Sequence, residues 1–496
     1  MPGRGERKRH MADGKKVANG FIWRLLERFG AQGVTLVVGL ILARILDVED
    51  YGIVAIVSIF TSILSVFVTS GLNDALVQKK DADDLDFSTV FYFNIVMCLA
   101  MYALMFFGAP LIARYYDRPY LVPYIRALSL ILVFGGVKNI QCAYVARNLL
   151  FKRFFFATLI GTVTAAAVGI WMALKGYGAW ALIVQNLVNT TIDTVILWIT
   201  VRWRPKKMFS FARLKELFAY AWKLLVSALI DVVYNRLYQL VIAKKYDDTA
   251  LAYYNKGDTF PNLLVTSINA ATDSVLLPVM SEAQDDPERV KAMTRRAISF
   301  SSFVIMPMMM GLAVCSEAFI HWVLQEKWMP AVPFIRIFCF GYAFYCVHTA
   351  NLNAIKALGR SDIFLKLEIV KKCMGITLLL ISMNYGVMAM AYTSLVSSVL
   401  SQLINSWPNR KLMNYSYLDQ LKDMLPNILL TLVMGAAVYS IYFLGLPDWL
   451  TLLIQIPLGV LIYVFGAKLF RVESFEYALA LIRRRRNAGS GEKPAE

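Results

Sequence analysis

The chain of 496 residues is predicted to be an all-α polytopic membrane protein with about fourteen transmembrane helices. They are expected as two six-helix lobes related by pseudo-twofold symmetry, plus two C-terminal helices. Three observations predict this. Hydrophobic residues make up 58% of the chain and the mean hydropathy is +0.55, more apolar sequence than a soluble domain buries. Apolar stretches of about 20 residues, the length that crosses a bilayer, recur throughout. Short patterns also return in order. Trp23-Arg24-Leu25-Leu26 recurs as Trp222-Lys223-Leu224-Leu225, Leu42-Ala43-Arg44 as Ile242-Ala243-Lys244, and Val68-Thr69-Ser70 as Val265-Thr266-Ser267, at offsets of 199, 200 and 197. Both repeats start from the same side, as parallel repeats do.

Taken in order, residues 1–19 form a basic tail with Arg4, Arg7, Lys8, Arg9, Lys15 and Lys16, expected to be disordered. The apolar stretch after it is too long for a cleavable signal and lacks a small-residue cleavage pattern. Spans are expected near 20–46, 52–72, 89–110, 122–143, 155–174 and 179–201, making an N-lobe over 20–207. A C-lobe over 208–424 holds spans near 218–243, 258–279, 297–318, 331–355, 364–383 and 387–407. Spans near 425–444 and 449–469 are an addition, and 471–496 is a second basic tail. With both termini cytoplasmic, the inner segments hold 33 Lys and Arg and the outer ones 7, the bias that sets topology.

No connection exceeds about twenty residues, which leaves no room for an extramembrane catalytic domain, and the chain is not read as an enzyme. The net charge of +17 lies in alternate loops and does not suggest nucleic acid. Six cysteines, all within predicted spans, show no metal-ligand spacing and read as small core residues. No metal, cofactor or catalytic residue is expected.

Charges inside spans carry the functional signal, because an arginine at a bilayer centre costs about 2.5–3.5 kcal/mol on insertion scales. In the first span Arg24, Arg28, Gln32 and Thr35 share one helical face, with Glu27 beside Arg28. Two readings are open: a snorkelling Arg24 with an internal Arg28–Glu27 pair, or the wall of a polar cavity. Gln185, Asn189 and Asp193 form a stripe in the sixth span, and Ser227, Asp231, Asn235 and Gln239 one in the seventh, beside Arg236. The eighth carries Asn262, Thr266, Asn269 and Asp273. Hydrogen bonding between helices is the ordinary use of such amides. Asp231, Arg236 and Asp273 point towards function, since ionisable groups in membranes usually line pathways. His348, with Asn351 and Asn353, reads as a satisfied core group, and Lys371 and Lys372 as snorkelling side chains.

Several stretches, in order from about residue 18 to 410, resemble the bacterial polysaccharide exporters of the Wzx type. They include LARILDVEDYG (42–52), SGLNDALVQKKD (70–81), GYGAWAL (176–182), RWRP (202–205), LAYYNKGDTFPN (251–262), LLPVMSEAQDDPERVK (276–291), EKWMPAVPF (326–334) and GRSD (359–362). The chain resembles the colanic-acid and capsule exporters within the multidrug/oligosaccharidyl-lipid/polysaccharide (MOP) flippase superfamily. The resemblance implies two lobes around a central cavity, in a MATE-like fold in the bacterial inner membrane. It also implies that an undecaprenyl-pyrophosphate-linked oligosaccharide is turned from the cytoplasmic to the periplasmic leaflet for lipopolysaccharide, exopolysaccharide or capsule. Polysaccharide polymerase machinery would be a partner. Expected substrate-binding residues are Arg24, Arg28, Gln32, Asn189, Asn235, Arg236 and Asn269, with Glu27, Asp231 and Asp273 as candidates for Na⁺ or H⁺ coupling. LARILDVEDYG and GRSD lie at helix ends and are expected to set turns. Two rivals stay open: a cation-coupled multidrug exporter of the same superfamily, disfavoured by the first-span arginines, and a lipid-modifying enzyme, disfavoured by the short loops.

Overall fold

The computed structural model describes residue 30 and residues 32–69, 71–79, 81–148, 150–476 and 479–480; all regular structure among them is helical. In chain order the helices are α1 Gln32–Ile45, α2 Val48–Thr69, α3 Leu72–Gln78, α4 Asp84–Tyr115, α5 Leu121–Leu128, α6 Leu130–Arg147, α7 Phe151–Leu174, α8 Ala179–Thr200 and α9 Phe211–Lys245. They continue with α10 Asp248–Ser281, α11 Pro287–Phe319, α12 Val332–Ala343, α13 Tyr345–Ala357, α14 Ser361–Ser382, α15 Val387–Ser406, α16 Asn409–Leu412, α17 Tyr417–Ser440 and α18 Asp448–Leu469.

Among the described residues, eleven helical segments are long and apolar enough to cross a membrane. Three expected spans fall short of that standard. The described part of α1 is brief, α10 carries Asp248, Lys256, Asp258 and Asp273, and α14 carries Asp362, Lys366, Glu368, Lys371 and Lys372. Each is helical where a span is expected. A spanning segment must satisfy its own backbone, which a helix does even when its side chains are polar.

Local chemistry sets the helix ends. Asp83 caps α4, accepting the Asp86 N–H at 2.9 Å while the Asp86 carboxylate accepts the Asp83 N–H at 3.3 Å. Ser416 and Asp419 do the same for α17. At helix C-termini, where carbonyls lack partners, arginines from elsewhere in the chain substitute. Arg147 donates to the carbonyls of Leu76 (2.7 Å) and Lys79 (2.6 Å) after α3, and Arg118 to those of Ala243 (2.9 Å) and Tyr246 (2.8 Å) after α9.

The chain divides into two compact units, one running to Ala252 and one from Tyr253 onwards. In the first, α9 packs with α2, α3 and α4, and one core joins Leu72, Phe87, Ile140, Leu197, Trp203 and Leu217. A second cluster joins α1, α2, α7 and α8 through Leu42, Leu46, Ala166, Ala173 and Ala181. In the second unit α17 and α18, the pair expected as an addition, pack on α11 around Leu430, Met434, Val438 and Tyr463. Their outward faces (Leu429, Val433, Leu453, Ile456, Val460, Leu461) are exposed and apolar, a surface that suits lipid.

The internal repeat extends to backbone detail. The fourth span breaks once at Ser129 between α5 and α6, and the tenth breaks once at Phe344 between α12 and α13. Tyr177-Gly178 precedes α8 and Tyr385-Gly386 precedes α15, each glycine at positive φ (54° and 99°). The recurring Tyr-Gly is legible in the sequence and extends the repeat beyond the three patterns noted above.

The family motifs act as turns. Gly359 takes φ 71°, and Arg360 forms a two-pronged pair with Asp362 at 2.9 and 3.0 Å. In LARILDVEDYG the Asp47 N–H donates to Asp50, and Gly52 lies against the start of α10 so closely that a Cβ would stand 2.0 Å from the Asp248 carbonyl oxygen. The cysteines partly depart from expectation. Cys98, Cys315, Cys339 and Cys346 are buried, but Cys142 is half-buried and Cys373 exposed, so Cys373 is not a core residue.

Candidate functional site

Arg24, Glu27 and Arg28 lie outside the described residues; Gln32, the next member of their face, opens the described part of α1 and is half-buried. The remaining candidates fall in two places, one in each unit, with Arg236 and its helix in the first.

In the first unit the α8 stripe lies in a seam. Gln185 and Asn189 pack over Gly169 and Gly161 of α7, where an added Cβ would come within 3.1 Å of Gln185 Cβ and 3.2 Å of Asn189 Oδ1. Small residues opposite polar ones let two helices close on each other, so this part of the stripe joins helices. One turn further, Asp193 is buried and forms an ion pair with Lys138 of α6. Two hydrogen bonds fix α8 on α6 around the pair: Thr194 Oγ1 donates to the Phe134 carbonyl (3.3 Å) and Trp198 Nε1 to that of Val137 (3.1 Å). Lys138 is nine residues from the Arg147 end of α6, about 13 Å, which puts the pair well inside the helical layer. Beside it Asn139 donates to the Val68 carbonyl at 2.7 Å, and Asn73 donates to Asn139.

On α9, Asp231 and Asn235 are exposed, and Arg236 donates to Gln239 Oε1 one turn along at 2.9 Å. A guanidinium is a group that can donate to an anion, and amides suit hydroxyl groups.

In the second unit Asp273 of α10 is exposed and accepts a 2.6 Å hydrogen bond from Asn353 Nδ2 of α13. Asn269, one turn earlier, is buried, and neither atom of its amide has a hydrogen-bond partner. A buried unsatisfied amide costs about 1–3 kcal/mol, which makes Asn269 a ligand-binding candidate on physical grounds. Asn351 behaves differently. Its amide donates to Gln420 (2.8 Å) and Ser406 (3.0 Å) and accepts from Asn409 (2.5 Å) and Gln420 (3.1 Å), all fully buried, tying α13, α15, α16 and α17 together. It is structural glue. His348 is half-buried and hydrogen-bonded to Asn405 at 2.6 Å, a satisfied histidine.

Lys371 overturns its expected role. It is buried, 7% exposed at its side chain, and bonded to Glu368 one turn before it at 2.6 Å. Its stem is not reaching for an interface, because a carboxylate on its own helix neutralises it in place. The pairings Lys138–Asp193 and Asp273–Asn353 are what sequence reading missed. Lys138 was visible as a cation inside the fourth span, but its partner lies 55 residues away on another helix. Among the described residues, no cluster of three or more His, Cys, Asp or Glu could hold a metal.

Residues 41–333 match the family described as "Polysaccharide biosynthesis protein". The chain is 24% identical to the lipopolysaccharide biosynthesis protein WzxC of Escherichia coli (strain K12), covering 91% of this chain and 88% of that one. It is 21% identical to the teichuronic acid biosynthesis protein TuaB of Bacillus subtilis (strain 168), covering 91% and 95%. Among solved structures, it resembles the lipid II flippase MurJ in an inward closed conformation, with TM-score 0.74 and 17% identity over 91% of this chain and 98% of that one. An inward-facing multidrug resistance transporter of the MATE family in the MOP superfamily matches with TM-score 0.60 and 14% identity, over 77% and 94%. The chain is therefore a multi-pass membrane protein that belongs to the polysaccharide biosynthesis protein family and has the fold of the MOP superfamily transporters.

Proposed function

We infer that the protein is a flippase. It carries an undecaprenyl-pyrophosphate-linked oligosaccharide from the cytoplasmic to the periplasmic leaflet of the bacterial inner membrane for surface polysaccharide synthesis. The observation that carries this reading is the family match over residues 41–333 on a transporter fold whose helices hold polar residues at membrane depth. Relatives named for lipopolysaccharide and teichuronic acid biosynthesis support the glycan class.

In this reading both termini are cytoplasmic, following the loop charge bias. Arg24, Arg28 and Gln32 receive the pyrophosphate, whose oxygens accept charge-assisted hydrogen bonds. Asn235, Arg236 and Asn269 meet phosphate or sugar hydroxyls, while Asn189, expected among them, is taken up in the α7–α8 seam. Glu27, Asp231 and Asp273 are the residues through which Na⁺ or H⁺ would couple, and rocking of one repeat against the other moves the bound head across. Polymerase machinery on the periplasmic side would take the product.

The test is restoration of surface polysaccharide in a cell lacking its own flippase, with membrane abundance measured in parallel. Wild type should restore it. Arg28→Lys should restore it in part and Arg28→Gln should not, since a point charge still attracts phosphate and a neutral amide holds it weakly. If the wild-type protein instead gave resistance to cationic drugs and no polysaccharide, the multidrug reading would replace this one.

A further inference from the structure

The flippase reading puts the anionic headgroup on the first helix. Lys138 and Asp193 in the first unit are not used by it, and their geometry is unlike that of a purely structural ion pair. Asp193 Oδ2 pairs with Lys138, but Oδ1 is buried with no hydrogen-bond partner, so the carboxylate is only half satisfied. A pair kept for stability alone would be expected to satisfy both oxygens, and even then an apolar replacement is often as stable. The two members are also unequally accessible. The Lys138 side chain is 26% exposed and that of Asp193 7%. A molecule approaching the pair meets the cation, with the anion shielded behind it. Thr194 and Trp198, bonded to α6 on either side, hold the arrangement in register.

We propose that Lys138 is a second binding group for the phosphate-class headgroup of the lipid-linked substrate, and that Asp193 is its positioning counter-charge. In the empty state Asp193 neutralises the ammonium inside the membrane. When a phosphate oxygen arrives, Lys138 donates to it, and the nearby carboxylate weakens the hold so that the headgroup can leave. Asp193 thus sets the lifetime of the bound state, and Lys138 its charge selectivity. This rests on the flippase reading but concerns residues that reading does not require.

The test measures binding to the full-length protein in lipid nanodiscs with two probes: undecaprenyl pyrophosphate, and undecaprenol as the uncharged control. For Lys138→Gln, whose amide can still donate to Asp193, undecaprenyl pyrophosphate affinity should fall at least about tenfold with undecaprenol binding unchanged. Lys138→Arg should stay within a few-fold of wild type. Asp193→Asn should bind the pyrophosphate several-fold more tightly and release it more slowly, a change that loss of packing would not produce. Should Lys138→Gln fold poorly, the exchanged pair Lys138→Asp with Asp193→Lys keeps neutrality and is expected to restore abundance without restoring pyrophosphate binding. Unchanged affinity in Lys138→Gln, equal loss for both probes, or full binding by the exchanged pair would each overturn the proposal. Wild-type protein that bound neither probe would instead remove the flippase reading beneath it.

Discussion

The two halves of the repeat can be compared at one point, residues 70–75 and 270–275. With three residues inserted after the Val265-Thr266-Ser267 match the offset becomes 200, which sets Gly71 opposite Ala271 and Asn73 opposite Asp273. In the first unit the helix breaks: α2 ends at Thr69, Gly71 takes φ 84°, and α3 starts at Leu72. In the second, α10 runs through the equivalent position without interruption to Ser281. The cause is one side chain. A Cβ on Gly71 would lie 2.4 Å from the Ala221 carbonyl oxygen, and its positive φ is a conformation that alanine avoids. Yet the polar contact beyond the break survives in both units, because Asn73 meets Asn139 of α6 and Asp273 meets Asn353 of α13. The two units thus share a polar contact but differ in its charge. The first unit pairs neutral amides there and puts its charge in Lys138–Asp193, whereas the second puts a carboxylate at the contact itself.

Three contrasts would break or sharpen that comparison, in decreasing order of expected effect. Asp193→Leu leaves Lys138 without its carboxylate inside the membrane, and breaking a buried pair in this way costs about 3–5 kcal/mol. Membrane abundance and the temperature of aggregation in detergent should both fall sharply. The double variant Lys138→Met with Asp193→Leu should recover most of that loss while remaining inactive in polysaccharide export. Failure to recover would mean the pair is irreplaceable for folding.

The second contrast exchanges the residues at the break. Gly71→Ala forces a side chain into a strained backbone and a crowded space, at about 2–4 kcal/mol. Ala271→Gly weakens a continuous helix by only about 1 kcal/mol. Thermal stability of the two variants in one detergent measures the difference, and equal losses would show that the break in the first unit is not set by Gly71.

The smallest effect is at the N-caps. Asp83 opens α4 with a reciprocal pair of bonds, whereas Asp286 opens α11 by accepting the Arg289 N–H at 3.0 Å, beside Pro287. Asp83→Ala should cost about 1 kcal/mol and Asp286→Ala somewhat less. The Asp86 backbone N–H holds the Asp83 carboxyl below the usual carboxylate range, with Arg213 adding to the effect. A group whose folded pKa is lowered contributes fully above its unfolded value, about 3.9, and loses that contribution as pH falls through the folded value. The gap in melting temperature between wild type and Asp83→Ala should therefore be full at pH 7 and shrink below about pH 4.

Much of the fold was legible because membrane insertion leaves so few solutions. A stretch of about 20 apolar residues has to be helical, and a parallel repeat shows as recurring patterns at a fixed offset. Gly359, Gly386 and the GRSD turn were legible for a related reason, since backbone at positive φ selects glycine. The candidate site was legible only in part. Periodicity put Gln185, Asn189 and Asp193 on one face but could not say what the face meets, and the structure gives part of it to the glycines of α7.

By itself, then, the sequence determined the helical class, the spans, the repeat and the positions where charge enters the membrane. Composition and spacing along the chain encode all four, without reference to contacts between helices. Only the tertiary structure decided which polar groups are glue and which are available. Asn351 closes on Gln420 across 69 residues, Lys138 finds Asp193 across 55, and Lys371 is neutralised by a carboxylate three residues away that its expected snorkelling ignored. Whether a buried polar group is satisfied depends on partners brought in by other helices, and in a bilayer that satisfaction separates a structural residue from a functional one.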